Sequence, residues 1–401
     1  MDQPAAHRLP VEVFGLILGL VENLSSASLV SRQFHALTFP IAHHTVQLYY
    51  ASRVKGFIDH VLAEDDSAPL RISQALRSLT VSEKYHEGAH CYSKALDDCL
   101  AIQFRTIIPK LVKLQHLTWS VPEPADLLVE FQRYCTQLRS LELSRRIHEL
   151  NVDRFFNALG TSLFDLRHLE LQMLAMLDWN PILDRAQESN PVRSFFMNNP
   201  KIETLVIDWV PESPINNPDL PLIRDMFPAL RHFNGPQRIS AILLASDVRL
   251  QLESLHILSF PKLELDAYAT IRYAATELPQ LRRLRFPADF VPPKGLKSGA
   301  ESIFLDVVAQ YEVVAHAALK HANLRELVTP LPWEFGLTET HDREMITLIT
   351  RIAIACPRLQ QLTDTGRKKW TTIHRFERDS QGRLTRILDS KGRVKYVIPP
   401  Y

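Results

Sequence analysis

His86-Glu87-Gly88-Ala89-His90 matches the HExxH pattern of zinc hydrolases. On a helix, histidines four apart share one face and can hold zinc, with the glutamate between them as general base. The surroundings argue against that use. Gly88 weakens a helix by up to about 1 kcal/mol relative to alanine. The flanks Ser82–Tyr85 and Cys91–Lys94 are polar, whereas a zinc helix of this kind is buried among apolar neighbours. No Gly-x-x-His follows to add a third ligand. The expectation is a solvated loop or helix, with no metal and no cofactor. A zinc metallopeptidase using His86, Glu87 and His90 stands as the enzyme-class alternative. Other catalytic signatures are missing: there is no GxSxG, no GxxxxGK[ST] and no GxGxxG, and the chain has only 12 glycines.

The whole chain points the same way, towards binding. Its 401 residues are 46% apolar and 23% charged, the composition of a globular protein long enough to bury a core. Lys+Arg number 46 against Asp+Glu 45, which excludes wholesale attachment to nucleic acid or anionic membrane. Cys91, Cys99, Cys135 and Cys356 form no CxxC pair, as expected of free thiols in a reducing compartment. The apolar run Val13–Val21 is far shorter than the roughly 20 residues of a membrane span. No basic leader precedes it. A cytoplasmic or nuclear location is expected.

Helical periodicity begins at once. Leu9, Val13, Leu16, Ile17 and Leu20 make one apolar stripe, with Pro10 in the first turn where its missing N–H costs nothing. Asn23 can cap a second short helix, and Ser31 a third that carries Phe34 and Leu37 and stops at Pro40. Leu9-Pro10-x-Glu12-Val13-x-x-x-Ile17-Leu18-x-Leu20, followed by Leu24 and Leu29-Val30-Ser31-Arg32-x-Phe34-x-x-Leu37, resembles an F-box. The resemblance implies that Leu9, Pro10, Val13, Ile17, Leu29 and Val30 face a Skp-type adaptor and, through it, cullin and RING subunits. Val21-Glu22-Asn23 departs from the usual Pro/Asp link, and Ser31 stands where many members have cysteine.

Behind this segment Leu-x-x-Leu-x-apolar recurs. It starts at Leu76, Leu114, Leu138, Leu166, Ile202, Leu252 and Leu281, with weaker copies at Leu230, Leu324 and Leu359. The mean interval of about 31 residues lies close to the leucine-rich-repeat range of roughly 20–29. Pro200, Pro228, Pro279 and Pro357 each sit two residues before a start, where they end a helix and launch a strand. Helical spacing fills the gaps at 125–134, 153–159, 267–277, 300–320 and 343–355. Each unit is a strand plus a return segment that must stack on its neighbours. Leucine-rich repeats behind an F-box resemble the F-box/leucine-rich-repeat substrate receptors.

Alternation then says which strand side chains face away from the core. His116, Glu142, His168, Glu170, Asp208, His256, Arg283 and Arg285 form a mixed polar row, the candidate substrate-binding stripe; a merely solvated face is its bland counterpart.

The tail changes character. Residues 366–401 hold ten basic and three acidic side chains, leaving 36 basic against 42 acidic in the rest. Alternating segments around two Asp-Ser-x-Gly turns, at Asp379–Gly382 and Asp389–Gly392, predict an antiparallel meander. Its expected role is to cap the solenoid; a basic docking surface is the sharper view.

The expected architecture is α/β: a three-helix F-box at 1–48, an irregular leucine-rich-repeat horseshoe of parallel strands at 49–365, and a basic meander at 366–401. The resemblance implies a non-enzymatic substrate-recognition subunit of an SCF-type ubiquitin ligase. A repeat scaffold without a ligase role is the alternative.

Overall fold

The computed structural model describes residues 26, 28–82, 98–120, 125–144, 156–157, 165–172, 176–186, 190–208, 210–211, 215, 218–258, 278, 280–285, 324–329, 339–364 and 372–398. Leu9, Pro10, Val13, Ile17, the His86–His90 string and the helices expected at 267–277 and 300–320 lie outside the described residues. The fold is mixed α/β, with parallel strands followed by an antiparallel C-terminal part. Two compact units divide the chain, Met1–Met173 and Leu174–Tyr401. Among the described residues no helix is long and apolar enough to cross a membrane.

In the first unit, the helix Arg32–Ala42 starts as its sequence dictates: the Ser31 side chain accepts the Phe34 N–H at 3.2 Å. It does not stop at Pro40. The proline sits in the last turn, where its missing N–H sacrifices a single helical bond, and the His43 N–H closes the end on Phe39 and Ile41 carbonyls.

Five parallel strands follow: β1 (Thr45–Leu48), β2 (Ser78–Ser82), β3 (His116–Ser120), β4 (Ser140–Ser144) and β5 (His168–Gln172). Their register explains the repeat. Leu79, Leu117, Leu141 and Leu169 are direct neighbours, as are Val81, Trp119, Leu143 and Leu171. All eight are buried. The helices Ala51–Ala63, Asp98–Ile107 and Ala125–Tyr134 contribute Phe57, Phe104 and Phe131 to the same core. The helix at 125–134 has the bounds its periodicity predicts.

In the second unit a short parallel pair, β6 (Met176–Leu177) with β8 (Val210–Pro211), accompanies the main ladder. That ladder runs through β7 (Thr204–Ile207), β9 (His232–Pro236), β10 (Ser254–Leu258), β11 (Arg283–Arg285), β12 (Glu326–Thr329) and β13 (Gln361–Asp364), all parallel. Leu205, Phe233, Leu255, Leu284, Leu327 and Leu362 stack in register and are buried. Asn190 and Asp219 cap the helices Pro191–Asn198 and Leu220–Met226 through their side chains, each at 3.0 Å. Pro200, Pro228 and Pro357 each follow a helix end. The last helix begins at Glu339, one turn before the start its apolar spacing marks, because that first turn carries polar residues.

The tail continues antiparallel: β14 (Thr372–Arg378) pairs with β13, β15 (Leu384–Leu388) with β14, and β16 (Val394–Val397) with β15. Its two turns are near copies. In each, an aspartate oxygen accepts two backbone N–H groups at 2.9 Å, from Gln381 and Arg383 or from Lys391 and Arg393. Gly382 and Gly392 take φ of 78° and 77°, the conformation their positions require.

Candidate functional site

A ladder whose alternate side chains are buried leaves the remaining ones facing outward. In the first unit the outward columns are Ser78, His116, Ser140 and His168, and beside them Thr80, Thr118, Glu142 and Glu170. Glu142 and Glu170 are direct cross-strand partners. The Thr118 hydroxyl donates to Glu142 Oε2 at 3.0 Å, and the Gln172 amide donates to Glu170. His168 Nε2 lies 3.6 Å from Glu142 Oε1 and 3.8 Å from Glu170 Oε2. Four of the expected site residues, His116, Glu142, His168 and Glu170, thus share one surface. Burial, followed by the neighbouring His44, lowers the His116 pKa against an opposing pull from Glu142.

In the second unit the outward columns are Thr204, His232, Ser254, Arg283, Glu326 and Gln361, and Val206, Asn234, His256 and Arg285. The residue preceding each strand forms a third column. Its carbonyl accepts two N–H groups from the next repeat, so that Glu253 binds Arg282 and Arg283, Arg282 binds Arg325 and Glu326, and Arg325 binds Gln360 and Gln361. This ladder lines up Arg231, Glu253, Arg282 and Arg325. Antiparallel pairing sets Arg375 opposite Gln361.

The columns enclose a cavity of about 550 Å³ lined by Arg282, Arg283, Arg325 and Arg375 against two carboxylates, Glu253 and Glu326. Glu253 is shared between Arg231 at 3.3 Å and Arg282 at 3.7 Å, while Arg283 takes Glu326 at 2.6 Å. Among the described residues Arg325 and Arg375 are left with no ion pair. A guanidinium presents a planar fork of donors that fits carboxylate or phosphate. The arrangement therefore suits an anionic ligand.

A neighbouring cavity of about 390 Å³ holds His256 beside Arg285 and Arg283. Burial first, and then Arg285, lowers the His256 pKa from 6.5 to about 4. The native state keeps this imidazole neutral where the unfolded chain would protonate it. His256 therefore stabilises the fold fully above pH 6.5, and that contribution is lost as pH falls towards 4. Melting temperatures of wild type and His256→Gln should converge over that window; parallel curves would refute the assignment.

Arg283, Arg285 and His256 are thus brought together, and Asp208 is not among the residues lining either cavity. It lies just past the end of β7, and Val206 occupies the rung paired with Asn234. Leu29 and Val30 are 86% and 68% exposed. The sequence reading missed Arg282, Arg325, Glu326 and Arg375. The repeats carried a signal for Glu326 and for the column of Arg282 and Arg325, since Arg231, Glu253, Arg282 and Arg325 each follow a repeat start; the antiparallel pairing of Arg375 carried none. Cys135 and Cys356 are free, buried thiols, pushed up to about 12 and about 11 by burial.

No protein-family model matches the chain, and no curated protein is similar to it in sequence. Among solved structures, a structural-genomics protein from Bacteroides fragilis aligns at 14% identity, over 76% of this chain and 71% of its own, with a TM-score of 0.36. TLR13, solved in complex with the single-stranded RNA ssRNA13, aligns at 14% identity over 73% of this chain and 40% of its own, with a TM-score of 0.27. At such scores neither neighbour bears on function.

Proposed function

We propose that the chain is the substrate-recognition subunit of an SCF-type cullin–RING ubiquitin ligase, with no catalysis of its own. The F-box-like segment binds a Skp-type adaptor, and leucine-rich repeats hold a protein substrate along the outward columns. The observation that carries this reading is the exposure of Leu29 and Val30. They precede the helix Arg32–Ala42, in which only Thr38 is buried. Large apolar side chains left out of the chain's own core are what an external helical partner buries. The in-register leucine columns support the repeat reading, and the arginine-lined cavity favours a substrate segment bearing carboxylates or phosphate. Catalysis would then be proximity: a captured substrate is held near the transferred ubiquitin.

Pull-down with purified Skp-type adaptor tests this. Burying an aliphatic side chain contributes about 1.5–3 kcal/mol, and about 1.4 kcal/mol is tenfold in affinity. Leu29→Ala/Val30→Ala should therefore weaken capture at least about tenfold, and a Leu9/Pro10/Val13 alanine variant should abolish it. Capture equal to wild type by both variants would sink the F-box reading. Adaptor binding without ubiquitin-dependent turnover of captured proteins would favour the scaffold alternative.

A further inference from the structure

We infer that Glu142, His168 and Glu170 form a binding site for a divalent transition cation of the zinc class. The inference rests on strands β3 to β5 and is independent of any ligase role.

Spacing is the first argument. One ligand atom from each residue lies within 4.8 Å of the other two. The 3.6 and 3.8 Å from His168 Nε2 to the two carboxylates exceed the roughly 2.7–3.2 Å of a hydrogen bond to nitrogen. A tetrahedral ion with bonds of about 2.1 Å holds its ligands about 3.4 Å apart. The two imidazole–carboxylate distances need contract by only a few tenths of an ångström to match those around such an ion.

Charge is the second argument. Register forces Glu142 and Glu170 side by side on adjacent strands, and like charges placed directly opposite are destabilising. A dication between them turns that repulsion into attraction. The outer contacts are arranged accordingly. Thr118 occupies Oε2 of Glu142, and the Gln172 amide occupies Oε1 of Glu170. Each carboxylate is thus held by a neutral donor on one oxygen, leaving the other aimed at the imidazole, as outer-shell partners do in metal sites.

Ligand type selects the ion. An imidazole with two carboxylates suits zinc, whereas magnesium and calcium take oxygen ligands. Side-chain exposures of 38%, 31% and 24% for Glu142, His168 and Glu170 leave the fourth position open to water or to a donor atom of a bound protein.

The test is calorimetric titration of the full chain, stripped with chelator, using zinc chloride and, in parallel, magnesium chloride. One saturable zinc site with no magnesium response over the same range is expected. His168→Ala and Glu170→Gln should each weaken zinc binding at least about tenfold, while His86→Ala/His90→Ala should leave that site intact. Glu170→Gln keeps shape and volume, so it decides the matter if His168→Ala fails to fold. Absence of saturable zinc binding, an affinity that both β5 variants leave unchanged, or zinc lost only on changing His86 and His90 would overturn the assignment.

Discussion

Phe104→Ala should destabilise the first unit by about 3–5 kcal/mol, the range for deleting a large aromatic ring from a packed core. Phe104 is fully buried on the helix Asp98–Ile107. Its ring lies 6.3 Å from Phe57, 5.6 Å from Trp119 and 6.1 Å from Phe131, centroid to centroid. Three helices and strand β3 therefore meet on one side chain. Tilted and edge-on pairs of this kind add about 0.5–1.5 kcal/mol beyond area burial, and four rigid elements cannot close the gap together. Denaturant unfolding followed by near-ultraviolet circular dichroism measures the effect. Phe104→Leu should lose clearly less, because it refills much of the volume. A loss below about 1 kcal/mol for the alanine variant would mean that the aromatic cluster does not hold these elements together.

The functional consequence lies on the opposite side of the same strands. Trp119 alternates with Thr118, whose hydroxyl orients Glu142. A strand that shifts to fill a void behind Trp119 moves Thr118 with it, since neighbouring side chains share one backbone. The polar columns are positioned by the apolar ones, and the expected zinc affinity should fall in Phe104→Ala even though no ligand has been changed.

How far this was legible in sequence depends on which interaction sets each feature. The leucine columns were legible because burial imposes period two on every strand, so Leu117 and Leu141 announce themselves without knowledge of the partner strand. The two tail turns were legible because Asp379-Ser-Gln-Gly382 and its copy satisfy their own hydrogen bonds within five residues. Pro40 misled because a proline in a final turn sacrifices one bond that the rest of the helix tolerates. Asp208 follows the same alternation one residue beyond β7, which stops at Ile207. The arginine-lined cavity was invisible for another reason. Arg282 and Arg325 become neighbours through a carbonyl ladder between residues 43 apart, and Arg375 reaches Gln361 only once β14 reverses direction. Repeat spacing aligns Arg282 with Arg325, but only long-range register brings Arg375 to them and closes the cavity.

Arg378→Met should loosen the C-terminal meander with little effect on the first unit. Arg378 donates through Nη2 to the carbonyls of Ala353 at 2.6 Å and Cys356 at 3.0 Å, and through Nη1 to Gly382 at 3.2 Å. The first two carbonyls lie at the C-terminal end of the helix Glu339–Ala355, where carbonyls lack helical partners and a cation is favoured. Burial lowers the pKa of this guanidinium, and the carbonyls it serves are what make a partly buried charge tolerable there. The β14–β15 register also shifts at Glu377/Arg378, as at a bulge that re-aims a side chain. Hydrogen bonds from a charged donor contribute about 1.5–3 kcal/mol each, and partial exposure reduces that, so a net loss of about 2 kcal/mol is expected. Methionine keeps the apolar stem and removes only the donors. Amide exchange across residues 372–398 should accelerate more than tenfold, since about 1.4 kcal/mol is one decade, while β2 to β5 keep their protection. Arg378→Lys, with one compact ammonium in place of a fork, should fall between the two. If the methionine variant protects the tail as well as wild type does, the meander is held by its pairing to β13 alone. If it loosens as expected, the same arginine both closes the last helix and covers the edge that β13 would otherwise expose.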